Sequence, residues 1–287
     1  MNSVFKPNQT VGVLGGGQLG RMLYQASINL DVHLKFLDPD ANAPCSKYDF
    51  KQGDLNNAED VFQFVKDCDV VTIEIEHVSV DGLRKLEAAG VDVFPTPDLI
   101  EMIQDKGVQK DFYTTNNIPT SKYQLFDSEL NIDWSIPFVQ KLRKGGYDGK
   151  GVSVINGKDK LNNLLQGPTL VEELIEFEME VSVIVARNSN GDVKTFPMVA
   201  MEFDPEANLV EFLYSPSGYS LQIEKKGSLI AKSIAEKSQL VGVLAVEMFL
   251  TKEGDILVNE IAPRPHNSGH QTIEGNLTSQ YEQHLRS

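Results

Sequence analysis

The sequence predicts a mixed fold, α/β at the amino end and α+β beyond it: a doubly wound, mostly parallel sheet followed by a domain of strands and a few helices. Three observations carry this. Short β-branched runs alternate with helically spaced segments over the first third of the chain. The breakers Pro95 and Pro97 close that pattern, and after Asp98 the texture changes to strands joined by Gly, Asn and Asp turns.

Residues 11–14 form a short apolar run that enters glycines, 19–28 have helical spacing, and 33–37 are again strand-like before Asp38-Pro39-Asp40. This is a βαβ unit. Next come a helix at 58–66, a β-branched strand at 70–75, a helix at 81–89 and a short strand at 91–94. One helix is expected from about 99 to 115, ending near Asn116-Asn117-Ile118-Pro119, with a domain boundary near residue 104. The carboxy third carries a helix at 229–240 and two strands, 242–250 and 256–261, joined as a β-hairpin across the turn 251–255.

At 287 residues the chain has room for two domains, and 41% hydrophobic with 23% charged residues describes a packed interior, not disorder. A formal charge of −15 excludes a polyanion binder held by counterion release, so nucleic acid is not an expected partner and any phosphate must be held locally. The longest apolar stretch, 241–250, is interrupted by Glu247 and falls far short of the roughly 20 residues of a membrane span. Residues 1–10 lack the apolar core of a signal peptide, and Cys45 and Cys68 lie outside any metal or redox motif. A reducing, cytoplasmic compartment is expected.

Five segments could carry chemistry. Gly15-x-Gly17-x-x-Gly20 lies between a strand and a helix, with Asp38 placed 18 residues after Gly20. Three readings stay open there: the phosphate of a small substrate, a dinucleotide, or a plain tight turn. The run from Lys141 and Arg143 through Gly145 to Gly151 contains four glycines in seven residues together with Lys150, which suits a cationic hairpin lid over phosphates. Glu172 to Glu180 offers a strand whose backbone could read an adenine edge, with Glu180 suited to accept ribose hydroxyls. Glu247 and Glu260, on the two strands of the hairpin and with Asn259 beside the second, give the hard oxygen ligands that magnesium prefers. Finally, Arg264, His266, Asn267, Ser268 and His270 crowd a proline-framed segment, where Arg264 could fix an oxyanion and a histidine could move a proton.

With these segments in this order the chain resembles the ATP-grasp superfamily and, within it, the 5-(carboxyamino)imidazole ribonucleotide synthase family of purine biosynthesis. The resemblance rests on Gly15-Gly-Gly-Gln-Leu-Gly20, Thr72-Ile-Glu74-Ile-Glu76-His77, Gly145-Gly-Tyr-Asp-Gly-Lys-Gly151 and Asn259-Glu-Ile-Ala-Pro-Arg-Pro-His-Asn-Ser-Gly-His270. It implies a Rossmann-like pre-ATP-grasp domain over 1–104 and an ATP-grasp domain over 105–287, with a lid subdomain at about 117–178. Lys106 and Lys141 would be the ATP-phosphate cations, with Gly146, Tyr147, Asp148, Gly149, Lys150, Gly151 and Val152 as the lid loop. Glu172, Glu173, Leu174 and Ile175 would be the adenine hinge and Glu180 the ribose acid. Glu247 and Glu260 would hold Mg2+, with Asn259 alongside. Gln18, Leu19, Glu76, Asn267 and Ser268 would face aminoimidazole ribonucleotide, and Arg264, His266, Tyr147 and Asp148 would stand nearest the chemistry. Arg264 would orient bicarbonate and His266 would transfer a proton at the amine. The glycine-rich turn would then hold a ribonucleotide phosphate and not NAD.

The implied activity is an ADP-forming carbon–nitrogen ligase acting through carboxyphosphate, and the resemblance also implies a homodimer. Two features depart from the family pattern: Ala200 stands where a histidine or acid usually reaches the nucleotide, and the chain stops at Ser287, where the family continues into a small carboxy-terminal region. These motivate the other readings, a non-catalytic ATP-binding regulatory protein and, more distantly, an NAD-dependent dehydrogenase.

Overall fold

The computed structural model describes residues 9–127, 135–146, 151–203 and 210–287. The amino-terminal part runs β1 (Thr10–Leu14), α1 (Gln18–Ile28), β2 (His33–Asp38), β3 (Asp49–Gln52), α2 (Ala58–Val65), β4 (Val70–Ile73), α3 (Val80–Ala88) and β5 (Asp92–Val93). Among the described residues its strands make a five-stranded sheet in the order β3-β2-β1-β4-β5, all parallel. Helices cover both faces: Leu23, Leu34 and Phe36 are buried in one cluster, and Val61, Phe64, Leu83 and Leu86 in another. Strand order reverses between β1 and β4, which opens a crevice beyond their carboxyl ends.

The single helix expected at about 99–115 is two, α4 (Pro97–Ile103) and α5 (Lys106–Thr115). Asp105 breaks it by capping α5: its carboxylate accepts from Gly107 N at 2.9 Å and Val108 N at 3.4 Å. Then come β6 (Tyr123–Phe126), β7 (Phe138–Leu142), β8 (Val152–Ile155) and β9 (Thr169–Glu173), an antiparallel sheet in the order β6-β9-β7-β8.

The largest sheet follows, from β10 (Phe177–Arg187), β11 (Val193–Thr195), β12 (Val199–Phe203), β13 (Val210–Tyr214), β14 (Gly242–Thr251) and β15 (Ile256–Ala262), with α6 (Leu221–Lys237) before β14. Residues 181–186 are buried without interruption because both faces of β10 are covered. Val181, Val183 and Val185 pack with α6, while Ile184 and Ala186 meet Val243 and Ala245 on the other face. The chain ends with α7 (Thr272–Gly275) and α8 (Gln280–Arg286), and α8 packs on α1 and β14. No helix among the described residues is long and apolar enough to cross a membrane, and both cysteines are buried free thiols.

Candidate active site

The β14–β15 hairpin places Glu247 directly opposite Glu260 in the strand register. Lys106, the first residue of α5, reaches across to Glu260 with Nζ 2.6 Å from Oε2. From the small sheet, β7 extends Lys141 to Asn259 Oδ1 at 3.0 Å and into contact with Glu172 of β9. Glu180 on β10 faces the same region and completes an acidic floor under two ammonium groups.

These carboxyls do not share one character. Lys106 holds Glu260 down at about 2 against the cost of burial. Burial, followed by the charges of Glu260 and Glu180, pushes Glu247 up to about 8. Burial raises Glu180 to about 7. Two carboxyls facing each other across a hairpin offer hard oxygen donors of the kind a divalent cation takes. Among the described residues no group of three or more His, Cys, Asp or Glu could cage a metal unaided. Two carboxylates completed by phosphate oxygens and water suit magnesium, which keeps part of its hydration.

On the far side of the hairpin, the segment after β15 turns back onto the parallel sheet. Arg264 Nε lies 2.8 Å from Glu76 Oε1, an ion pair with side chains only 17% and 14% exposed. Gln104 fixes the same loop by donating to Glu76 O at 2.9 Å and Val78 O at 2.8 Å. His266 links the two halves, with Nε2 3.5 Å from Glu247 Oε1. Its Nδ1 accepts the Ser268 amide at 3.2 Å, so the ring proton sits on Nε2 and points at Glu247. Burial, reinforced by Arg264, lowers His266 to about 3, which keeps it neutral. The imidazole is therefore arranged as a donor: its one acceptor nitrogen is occupied, and any part in proton transfer begins from the Nε2 proton.

Several expected residues stand elsewhere. Ser268 is buried, with Oγ 2.9 Å from Ser182 Oγ and 3.0 Å from His266 Nδ1; it orients the histidine and does not face a substrate. Leu19 packs partly into the amino-terminal core, whereas Gln18 and Asn267 are exposed. The glycine turn does not present free amides to a phosphate. Gly16 N donates to Asp38 Oδ2 at 2.8 Å, and Gly17 N donates to Glu74 Oε2 at 3.3 Å. Two carboxylates thus stand where the phosphate was expected, and Glu74 caps the open amino end of α1.

Arg143 is not a lid cation either: it grips Asp105 bidentately at 3.0 and 2.9 Å. Glu172 is buried with its side chain turned away from solvent, while Glu173 is exposed and Leu174 and Ile175 are half-buried. Gly146, Gly151 and Val152 are the described ends of the expected lid loop, and Val152 opens β8; Tyr147, Asp148, Gly149 and Lys150 lie outside the described residues. Ala200 is buried on β12, and Glu202 accepts from Tyr214 Oη at 2.9 Å. Sequence reasoning missed Lys110, although its four-residue spacing from Lys106 puts both on one helix face. It also missed Gln280, which donates to His266 O at 2.6 Å and accepts from His266 N at 2.9 Å.

Comparison with known proteins agrees with this geometry. The ribonucleotide synthetase preATP-grasp domain matches residues 8–104, and the ATP-grasp domain matches 111–281. Phosphoribosylaminoimidazole carboxylase of Ogataea methanolica is 35% identical over 98% of this chain and 54% of its own length; the chain spans about half the length of such curated relatives. N5-carboxyaminoimidazole ribonucleotide synthetase of Thermotoga maritima is 40% identical, with a TM-score of 0.85 over 97% of this chain and 75% of that one. The synthase of Aspergillus clavatus, solved with ADP and 5-aminoimidazole ribonucleotide, is 32% identical, with a TM-score of 0.87 over 98% of this chain and 76% of that one. The chain belongs to the N5-carboxyaminoimidazole ribonucleotide synthase family of ATP-grasp proteins.

Proposed function

We propose that this chain carries the ADP-forming carboxylation of 5-aminoimidazole ribonucleotide: ATP phosphorylates bicarbonate to carboxyphosphate, and the exocyclic amine of the ribonucleotide captures the carbon dioxide released. The observation that carries it is the Glu247–His266 contact at 3.5 Å, which joins the phosphate side of the cleft to the Arg264–Glu76 side. ATP and the ribonucleotide would then meet across one hairpin, as the ligands of the Aspergillus clavatus relative suggest.

Lys106 and Lys141 neutralise charge on the phosphates, the backbone of the hinge residues 172–175 reads the adenine edge while the Glu172 side chain stays turned inward to Lys110 and Lys141, and Glu180 accepts from the ribose. Glu247 and Glu260, with Asn259 beside them, hold magnesium, which supplies further neutralisation of phosphoryl charge when bound. Arg264 offers its remaining N–H groups to bicarbonate while Glu76 anchors the guanidinium. Glu76, Gln18 and Asn267 line the ribonucleotide side. Asp38 and Glu74, facing the glycine turn, favour hydrogen-bond donors of the ribonucleotide there, and its phosphate is held elsewhere. Keeping water from carboxyphosphate falls to the expected lid loop, of which residues 147–150 lie outside the described residues.

Further parts of this reading are two domains divided at 104, a cytoplasmic setting and a homodimer. The exposed aromatic stripe of Phe212 and Tyr214 on edge strand β13 is a candidate contact for the dimer. The test is phosphate release from MgATP, with and without bicarbonate and aminoimidazole ribonucleotide. Release that requires the ribonucleotide is expected; nucleotide binding without bicarbonate-stimulated release refutes the ligase and leaves a nucleotide-binding protein.

A further inference from the structure

Behind Lys141 lies an ion pair that touches none of the expected substrates. Lys110, one turn after Lys106 on α5, places Nζ 2.8 Å from Glu172 Oε2, and the two side chains are 3% and 4% exposed. Lys110 also donates to Thr120 Oγ1 at 2.6 Å and Ser121 Oγ at 2.8 Å, so each of its three protons has a partner. Ser121 Oγ donates to the same Glu172 oxygen at 2.7 Å, while the other oxygen is taken by Lys141.

A buried ionic triad is a poor way to stabilise a core, because apolar residues of similar volume are commonly as good or better. Its use here points to charge and not to packing. Two lysines share one carboxylate, so one positive charge is left over. The unshared side of that charge is Lys141, which continues to Asn259 and the Lys106–Glu260 pair. Burial alone would raise Glu172, but Lys141 and Lys110 bring it down to about 2, so the carboxylate is ionised throughout the neutral range. Were Lys110 absent, Glu172 would cancel Lys141 and hold it back from any phosphate.

We propose that Lys110 is a positioning residue for nucleotide binding: by occupying one oxygen of Glu172 it leaves Lys141 with a net positive charge, aimed at the phosphates. This rests on the reading of Lys141 as a phosphate ligand. The test is calorimetric affinity for ATP, ADP and adenosine in the parent, in Lys110→Met and in Lys110→Met/Glu172→Gln. Lys110→Met is expected to weaken ATP and ADP about tenfold and adenosine less than about twofold. The double variant, which removes one charge of each sign, is expected to bind ADP at least about fivefold more tightly than Lys110→Met.

A merely structural role would weaken adenosine as much as ADP, or leave the double variant no better than the single; either result overturns the proposal. Should Lys110→Met fail to fold, the double variant decides. A preference for ATP over adenosine within about threefold of the parent's supports the proposal, and a tenfold loss of that preference overturns it. A parent that binds no adenine nucleotide overturns the functional reading itself, and the proposal with it.

Discussion

Acidification should loosen this molecule through one side chain, His284. Its imidazole is buried between the two main sheets: Val243 N donates to Nδ1 at 3.2 Å, and Nε2 lies 2.8 Å from Thr72 Oγ1. Because Nδ1 is the acceptor, the proton sits on Nε2 and is donated to the threonine. A second proton would have to enter at Nδ1, against the Val243 amide, in surroundings where burial pulls the group from 6.5 to about 4. A folded pKa below the unfolded one means that the unfolded chain takes up the proton first. The stabilisation is therefore complete above the unfolded value and is lost as pH falls from 6.5 towards about 4.

That gap is worth about 3 kcal/mol in all, of which about 2 kcal/mol has gone by pH ~5.

 The figure in kcal/mol is read as a difference, because other carboxyls titrate over the same range. Urea unfolding of the parent and of His284→Gln would be compared at pH ~7.5 and pH ~5; glutamine keeps a donor for Thr72 and does not titrate. The parent's advantage over the variant should shrink by about 2 kcal/mol between the two conditions. A stability difference that stays the same at both pH values refutes the argument.

Three other substitutions probe the site. Arg264→Ala should lower ribonucleotide-dependent phosphate release by about 100-fold or more, and should cost about 2 kcal/mol in urea unfolding by stranding Glu76; full carboxylation by this variant removes Arg264 from the chemistry. Glu247→Gln removes a carboxyl that burial holds protonated at neutral pH, so the metal-free protein should melt at a slightly higher temperature while magnesium-dependent ADP binding weakens about tenfold; unchanged magnesium dependence excludes Glu247 as a ligand. At Gly269 an added Cβ would sit 2.3 Å from Gln280 Oε1, so Gly269→Ala should cost about 2 kcal/mol and displace His266; a melting temperature equal to the parent's refutes the clamp.

The parallel sheet was legible because its strands are apolar runs and its helices keep one apolar stripe. What escaped was weakly patterned. β3 is an edge strand of sequence Asp-Phe-Lys-Gln with three exposed residues, so no alternation marks it. The expected helix at 229–240 runs instead from Leu221, capped by Ser220, to Lys237, and its first turns escaped the sequence because Lys225, Lys226 and Gly227 interrupt the apolar pattern. Gly227 is there for space: a Cβ would approach Met198 Sδ to 3.1 Å. At the site, the facing of Glu247 and Glu260 could be read from a hairpin. The occupancy of the glycine turn could not, since Asp38 and Glu74 reach Gly16 and Gly17 across 22 and 57 residues of sequence. The loss of Arg143 to Asp105 is equally a tertiary event.

One stretch of chain both builds the site and joins the parallel sheet to the large sheet. After β15, Arg264 meets Glu76, His266 meets Glu247, Tyr281 enters the amino-terminal core, and His284 bridges Thr72 and Val243. Parting these two sheets would break a half-buried ion pair, a buried imidazole bridge and an aromatic anchor together. Among the described residues the small sheet has its own separate cluster, with Phe126, Phe138, Ile155 and Val171 buried in it, and shares no member with the cluster around β10. Motion that admits a nucleotide therefore costs least at the small sheet, which carries Lys141, while Arg264, His266 and the carboxylate pair keep their mutual geometry.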